Sequence, residues 1–423
     1  MKVLQSTREY TAYQRAWFQD VRERAASGEP IAFVNADVPQ EIFRAMDIPY
    51  VVNQWWSSVI AAKQQAPRAL SFLRARGYPD TAAQYSVLGL GASFETDPQQ
   101  APWGGLPVPS IVATTTRGDA SRKQFELWAL EHGSAFYCLE KSEHGDATIY
   151  PRWWEKIDRD WEELIGARRL DLMVDELKGL IRFLEQTTGR RFDETKFRHI
   201  MRLVNEQAEY NRRSRDLIAR TKPAPVSIVD TMPATMIPQW HRGTAWARDA
   251  ARAMYEEIHA RAERGEAAYA GERLRLAWIG TGLWFNMRFY EYFQEHFGAV
   301  FVWSIYLGIA ADGYIRYGDD PLRALAARFT TLEEAMHMNT WSSEWHVKEC
   351  LANQIDGVVT LEGHGGYFST RALQAAGIPV LSLRGSNVDS RGWDDAAVTD
   401  QLARFLEAEV APAKLSRSSA RAT

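Results

Sequence analysis

Residues 30–53 read PIAFVNADVPQEIFRAMDIPYVVN, and their reading decides the fold. "PIAFVNAD" is the short apolar run of a buried strand. "VPQEIFRAMD" reads as a helix with a proline near its start, where a missing N–H costs little. "IPYVVN" reads as a second strand. Strand, helix and strand in that order make a βαβ unit, which implies a parallel sheet.

A second copy of the pattern lies downstream. "PSIVATT" (109–115) is a strand, "TRGDAS" (116–121) its tip, "RKQFELWALEH" (122–132) a helix and "SAFYCLE" (134–140) a strand. A third region starts at "RLRLAWIGTG" (273–282). It continues through the helix "LWFNMRFYEYFQEHFG" (283–298) and the strand "AVFVWSIY" (299–306). Two further strand-and-tip units close it, "DGVVTLEGHGG" (356–366) and "IPVLSLRGSN" (378–387).

Between these regions, residues 152–221 run almost without proline or glycine and carry helical spacing of large apolar residues. "DETKFRHIMRLVNEQ" (193–207) starts with two acids, as a capped helix should. "TKPAPVSIVDTMPATMIP" (221–238) reads as a proline-rich connection, and residues 239–268 as one long amphipathic helix. Residues 8–27 read as a polar leading helix. The fold class is therefore α/β, with two open parallel-sheet domains and a helical module between them. The expected division is a helical segment 1–30, a first α/β domain 31–150, a helical module with its connecting helix 151–270, a second α/β domain 271–412 and a disordered tail 413–423.

Bulk properties narrow the function. A chain of 423 residues exceeds one ordinary core. A net charge of −4 and a pI near 6.2 argue against nucleic acid as a partner. No apolar run is long enough for a membrane span, and the first residues carry no apolar segment like a leader's. Two cysteines give neither a disulfide framework nor a zinc signature, so the expected setting is cytoplasmic. The 16 tryptophans read as core residues or as walls for a flat aromatic ligand.

Open parallel sheets bind ligands beyond the carboxyl ends of their strands. Four tips stand out: 114–121, 279–286, 361–366 and 383–387. Gly118, Gly243, Gly280, Gly282, Gly365 and Gly366 let backbone turn tightly or approach a ligand. Arg117, Arg122, Arg242 and Arg384 can add charge for a phosphate or carboxylate. A plain turn explains any one tip equally well. "GTGLWF" lacks the third glycine of the dinucleotide fingerprint and is not read as an NAD site. Glu362 and His364 form a candidate acid–base pair, although a lone loop histidine is more often solvated. His337, His346 and Cys350 have no recognised metal-ligand spacing.

These segments, taken together, resemble the 2-hydroxyacyl-CoA dehydratase and benzoyl-CoA reductase subunits over about residues 30–410. The markers are "PQEIFRAMDIPYV" with "WWSS", "FELWALEH", "HRGTAWA", "DPLRALAARF", "DGVVTLEGHGG" and "IPVLSLRGSNVDSRG". The resemblance implies two flavodoxin-like domains, paired subunits, an acyl-CoA ligand, a [4Fe–4S] cluster in each subunit and a separate ATP-dependent activator. It places three cluster-holding cysteines at Gln84 or Tyr85, at Gly118 and at Gly365, none of which is cysteine here. Cys138 falls in a strand and Cys350 in a helix. Thiolates are what hold such clusters, so no self-ligated cluster is expected. The acid that the family tends to carry after the second strand is replaced by Asn53 and Gln54.

Three functions follow as expectations. One is a cluster-less subunit that binds an aromatic acyl-CoA thioester beside a homologous cluster-bearing partner. A second is an iron-free enzyme working on an acyl-CoA by acid–base chemistry through Glu362, His364, Asp119 or His241. The third is a non-catalytic scaffold or regulatory subunit.

Overall fold

The apolar runs form eight strands in two sheets. In the computed structural model, residues 4–81, 83–116, 119–141, 152–336, 339–362 and 366–422 are described. The first sheet contains β1 (Ala32–Val34), β2 (Tyr50–Val52), β3 (Ile111–Thr115) and β4 (Ala135–Leu139) in the order β2-β1-β3-β4. The second contains β5 (Leu274–Ile279), β6 (Ala299–Ser304), β7 (Gly357–Leu361) and β8 (Val380–Leu383) in the order β6-β5-β7-β8. Every pairing is parallel. The two sheets thus share one flavodoxin-like strand order, as the sequence pattern implies.

Burial explains why these strands are runs of apolar residues rather than alternations. All residues of β1, β2, β3, β5, β6 and β7 are buried, as expected for parallel sheets covered on both faces. Along β5 the side chains still alternate between faces. Leu274, Leu276 and Trp278 join one core with Phe289, Phe293 and Phe405. Ala277 and Ile279 join a second core, which runs on through the helices of residues 161–263 to the first sheet. Trp55, Trp56, Trp128, Trp278, Trp303 and Trp345 are core residues.

The helical stretch holds Ala167–Thr188 and Glu194–Arg220, the latter capped by Asp193, whose side chain accepts from Lys196 N at 2.9 Å. Three expectations are corrected here. The proline-rich connection is largely a helix, Ile228–Trp240, with Pro233 and Pro238 inside it. Nine of its residues are buried, and that packing outweighs the two lost backbone bonds. The long helix starts at Ala245 rather than at residue 239. Gly243 adopts φ 82°, which ends the preceding helix, and Thr244 caps the next by accepting from Ala247 N. The tail is helical over Ala411–Ala422 rather than disordered. Lys414 Nζ lies 2.8 Å and Arg417 Nη2 3.3 Å from the Asp356 carboxylate, a tertiary anchor that composition does not reveal.

Candidate functional site

The carboxyl ends of both sheets approach one seam. On the first-domain side are the loop at Gln64 and the start of the helix Gln84–Ser93. On the other are residues 282–287 and 386–391. Gln64 Nε2 donates to Phe285 O at 2.7 Å, and Gln84 Nε2 to Asp389 Oδ2 at 3.1 Å. Asp389 is also gripped by Arg391, whose guanidinium lies 3.8 Å from Asp80.

Tyr85 lies in the seam, half-buried beside Trp284 and Tyr306. Burial holds its phenol well above the usual range, with the Tyr306 hydroxyl adding to this and Trp284 opposing it. The Trp284 and Tyr306 rings sit 5.4 Å apart, and Tyr306 accepts from Gly282 N at 2.8 Å. Three neutral aromatic groups from two domains therefore meet at this seam. The sequence marked Tyr85 by position and Trp284 by its tip, but only the folded chain brings Tyr306 to them.

Among the described residues, amides tie the ends of β1 and β2 together. Gln54 donates to Asn35 Oδ1, while its own Oε1 accepts from Ala36 N at 2.8 Å. Asn35 Nδ2 reaches Thr114 Oγ1 at 3.3 Å. Asn53 Nδ2 donates to Ser86 O at 2.7 Å, and Ser86 lies 3.3 Å from Ser121. A carboxylate at 54 lacks the donor that Asn35 uses.

The second-domain tips are open. Glu362 and Arg384, at the ends of adjacent strands, pair at 3.3 Å with side chains 63% and 91% exposed. Solvent screens such a pair almost fully. Gly280 adopts φ 114° and Gly366 φ 69°, the latter just before the helix Tyr367–Ala375. Among the described residues, Asn53 Oδ1, Thr115 Oγ1, Ser304 Oγ and Asn387 Nδ2 are buried at or beside strand tips without a hydrogen-bond partner. These atoms give the sheet ends unused hydrogen-bonding capacity, as other unpartnered buried groups do elsewhere in the core.

Several anticipated residues fall elsewhere. His241 is 2% exposed and ringed edge-on by Tyr13, Trp17 and Trp246. Burial, with Arg44 nearby, pushes it down to about 3, so it stays neutral and packs instead of shuttling protons. Arg242 is also wholly buried, its Nε 2.7 Å from Glu41 Oε1. Arg328 Nη1 reaches the same oxygen at 2.7 Å. Arg242 is thus taken up by an internal ion pair rather than presented to a substrate. The backbone of Gly243 turns against Ile200, which a Cβ would meet at 2.6 Å. Arg122 is exposed at the start of its helix. Arg117, Gly118, His364, Gly365 and His337 lie outside the described residues, as does the Asp119 side chain.

The donor set does not fit an iron–sulfur cluster. Cys350 is fully buried in the helix Asn339–Ala352, and Cys138 is half-buried in β4. Burial raises both thiols, against the thiolate that ligation needs.

With this geometry in place, the comparisons with known proteins define the class. The chain belongs to the 2-hydroxyglutaryl-CoA dehydratase D-component family, whose model matches residues 35–408. It is 23% identical over 410 residues to the (R)-phenyllactyl-CoA dehydratase alpha subunit of Clostridium sporogenes, covering 96% of this chain and 95% of that one. It is 20% identical over 412 residues to the (R)-2-hydroxyisocaproyl-CoA dehydratase alpha subunit of Clostridioides difficile, covering 92% of each. Among the described residues no helix is long and apolar enough to cross a membrane.

Proposed function

We propose that this chain is a subunit of an acyl-CoA dehydratase that binds the thioester at the seam between its two sheets and leaves cluster ligation to a homologous partner. The observation that carries the reading is Tyr85, a half-buried neutral phenol against Trp284 and Tyr306 where the resemblance would set a thiolate. The orphaned polar groups at the strand ends supply hydrogen-bonding capacity for the thioester. The three rings favour an aromatic acyl group, in keeping with a relative named for phenyllactyl-CoA. Both relatives are named as alpha subunits, which supports a heteromeric assembly. An ATP-dependent activator belongs to the same reading, as the source of electrons for the partner's cluster. Acid–base chemistry by this chain alone is less favoured, because His241 is sealed in a ring cage and Glu362 is tied to Arg384 in solvent.

The test is anaerobic reconstitution of the chain alone and with the partner from its native host. The chain alone should retain no stoichiometric iron, and the pair should bind an aromatic acyl-CoA. About four irons per isolated chain would overturn the cluster-less reading. No thioester binding by the chain or by the pair would overturn the seam as a thioester site.

A further inference from the structure

A second concave site lies away from the seam, between the helix Glu194–Arg220 and residues 316–324. Its volume is about 410 Å³, within the range of small-ligand pockets. One helix face supplies Arg198, Arg202, Asn205, Glu209 and Arg213, at spacings of three and four residues. From Arg198 to Arg213 the face runs roughly 22 Å.

The two walls are fixed to each other. Asn205 Nδ2 donates to Arg316 O at 2.8 Å, and Arg316 N donates back to Asn205 Oδ1 at 3.1 Å. Tyr317 OH donates to Glu209 at 2.8 Å, and Arg198 to Asp319 O at 3.0 Å.

Charge in the groove is unbalanced. Arg198, Arg202 and Arg213 are exposed, and among the described residues none of them pairs with a carboxylate. Arg202 contacts His199, and Arg213 lies over the Tyr210 ring. Glu206 is taken by Arg248. Arg316, 1% exposed, lines the cavity, and its guanidinium binds only carbonyls and Thr331 Oγ1. Its Nε has no partner among the described residues. The carboxylates that act on it, Asp158 and Asp312, are held by Arg212 and Arg215. Behind it, Arg242 and Arg328 share the single carboxylate of Glu41. Buried guanidinium left uncompensated is expensive. Burial, with Arg328 close by, pulls Arg316 down to about 9. Its guanidinium points inward, so it adds positive potential behind the groove rather than a direct contact.

We propose that this groove binds an adenosine phosphate. The exposed Arg198, Arg202 and Arg213 take phosphate oxygens, the faces of Tyr210 and Tyr317 left open by Arg213 and Arg159 take the adenine, and Glu209 and Glu206 accept from ribose hydroxyls. The phosphorylated adenosine end of coenzyme A and a free adenine nucleotide share this chemistry. The inference does not rest on the seam being the thioester site.

The experiment is calorimetry on the full chain with adenosine 3′,5′-bisphosphate, coenzyme A, ADP, ATP and inorganic pyrophosphate. It is repeated on Arg202→Ala/Arg213→Ala, whose side chains are exposed and make no ion pair, with circular dichroism to verify folding. A nucleotide should bind the wild type, and the double variant should bind it at least about tenfold more weakly. Binding of the bisphosphate and coenzyme A, but not of ADP or ATP, names the coenzyme as the source. Binding of ADP or ATP names the free nucleotide. Binding of pyrophosphate alone, or of no nucleotide, overturns the proposal. A folded double variant that binds as tightly as wild type also overturns it, and leaves the seam reading standing. If the bisphosphate binds through the arginines while no thioester binds even with the partner, the seam reading fails and this one stands.

Discussion

The two sheets share one strand order and differ at their tips. In the first domain, Asn35, Gln54 and Asn53 donate to one another, to Thr114 and to backbone, although Asn53 Oδ1 stays unpartnered. In the second, Gly280 and Gly366 turn the backbone at positive φ, Gly282 N is taken by Tyr306, and the charged pair Glu362–Arg384 stands in solvent. The duplicated architecture therefore did not carry duplicated chemistry. Among the described residues, amides tie up the tips of β1 and β2 in the first half, the tips of the second half carry an exposed ion pair, and fold alone decides neither. Changes at the first half should therefore register in stability, and changes at the second in ligand binding.

The largest effect is expected just behind the closed half. Glu41 is buried between Arg242 and Arg328, and burial alone would raise its carboxyl. The two guanidiniums outweigh burial and hold it below the usual range. Glu41→Gln leaves two buried cations facing a neutral amide and should cost about 3–5 kcal/mol in denaturant unfolding. Because the folded-state pKa is depressed, the wild-type contribution is complete above the unfolded value and is lost as pH falls through the folded one. A cost below about 1 kcal/mol would mean that the cluster is solvated rather than sealed.

Gln54→Glu tests the closed tips directly. It removes the donor to Asn35 and sets a carboxylate against that carbonyl oxygen, at an expected cost of about 1–3 kcal/mol near neutral pH. A wild-type melting temperature would show that the amide cluster does not constrain the tip.

His241 sharpens the contrast through pH. Burial keeps it neutral, pushed down to about 3, whereas its unfolded form titrates near the ordinary value. Protons therefore favour the unfolded chain. The contribution is complete above pH ~6.5 and declines at about 1.4 kcal/mol per pH unit as pH falls toward 3. His346, pushed down to about 4 by burial, adds a similar slope. His241→Phe should flatten the acid limb of the stability profile by one such slope between pH 6.5 and 5. An unchanged limb would mean that the ring cage admits water.

Much of the fold was legible because parallel strands buried on both faces read as plain apolar runs, as "AFV", "IVATT" and "GVVTL" do. Pro233 and Pro238 hid a helix, because its stability lies in nine buried side chains and not in local propensity. The helical tail was hidden for a similar reason, since Asp356 is distant in sequence from Lys414 and Arg417. The site was legible in outline only. Glycine at a tip shows where backbone turns, but nothing local distinguishes His241 in its cage from a histidine at a tip. The meeting of Tyr85 with Trp284 and Tyr306 depends on how two domains dock, which no periodicity encodes.

The smallest stability effect belongs to the open half, and it divides the two kinds of tip most cleanly. Glu362 and Arg384 are held by one screened contact at 3.3 Å, so Glu362→Gln and Arg384→Ala should each leave the melting temperature unchanged within error. Their function is a separate matter. An exposed cation at the end of β8 is free to exchange Glu362 for an anionic group of a ligand at the seam, because the pair holds it only weakly. Arg384→Ala should then weaken acyl-CoA binding by the subunit pair about tenfold, while Glu362→Gln, which releases the arginine, should leave binding equal or slightly tighter. Calorimetry on the two variants reads both signs. If both weaken binding equally, the carboxylate itself touches the ligand. If neither changes it, the tips of β7 and β8 lie outside the thioester site, and the closed half with Tyr85 defines the seam by itself.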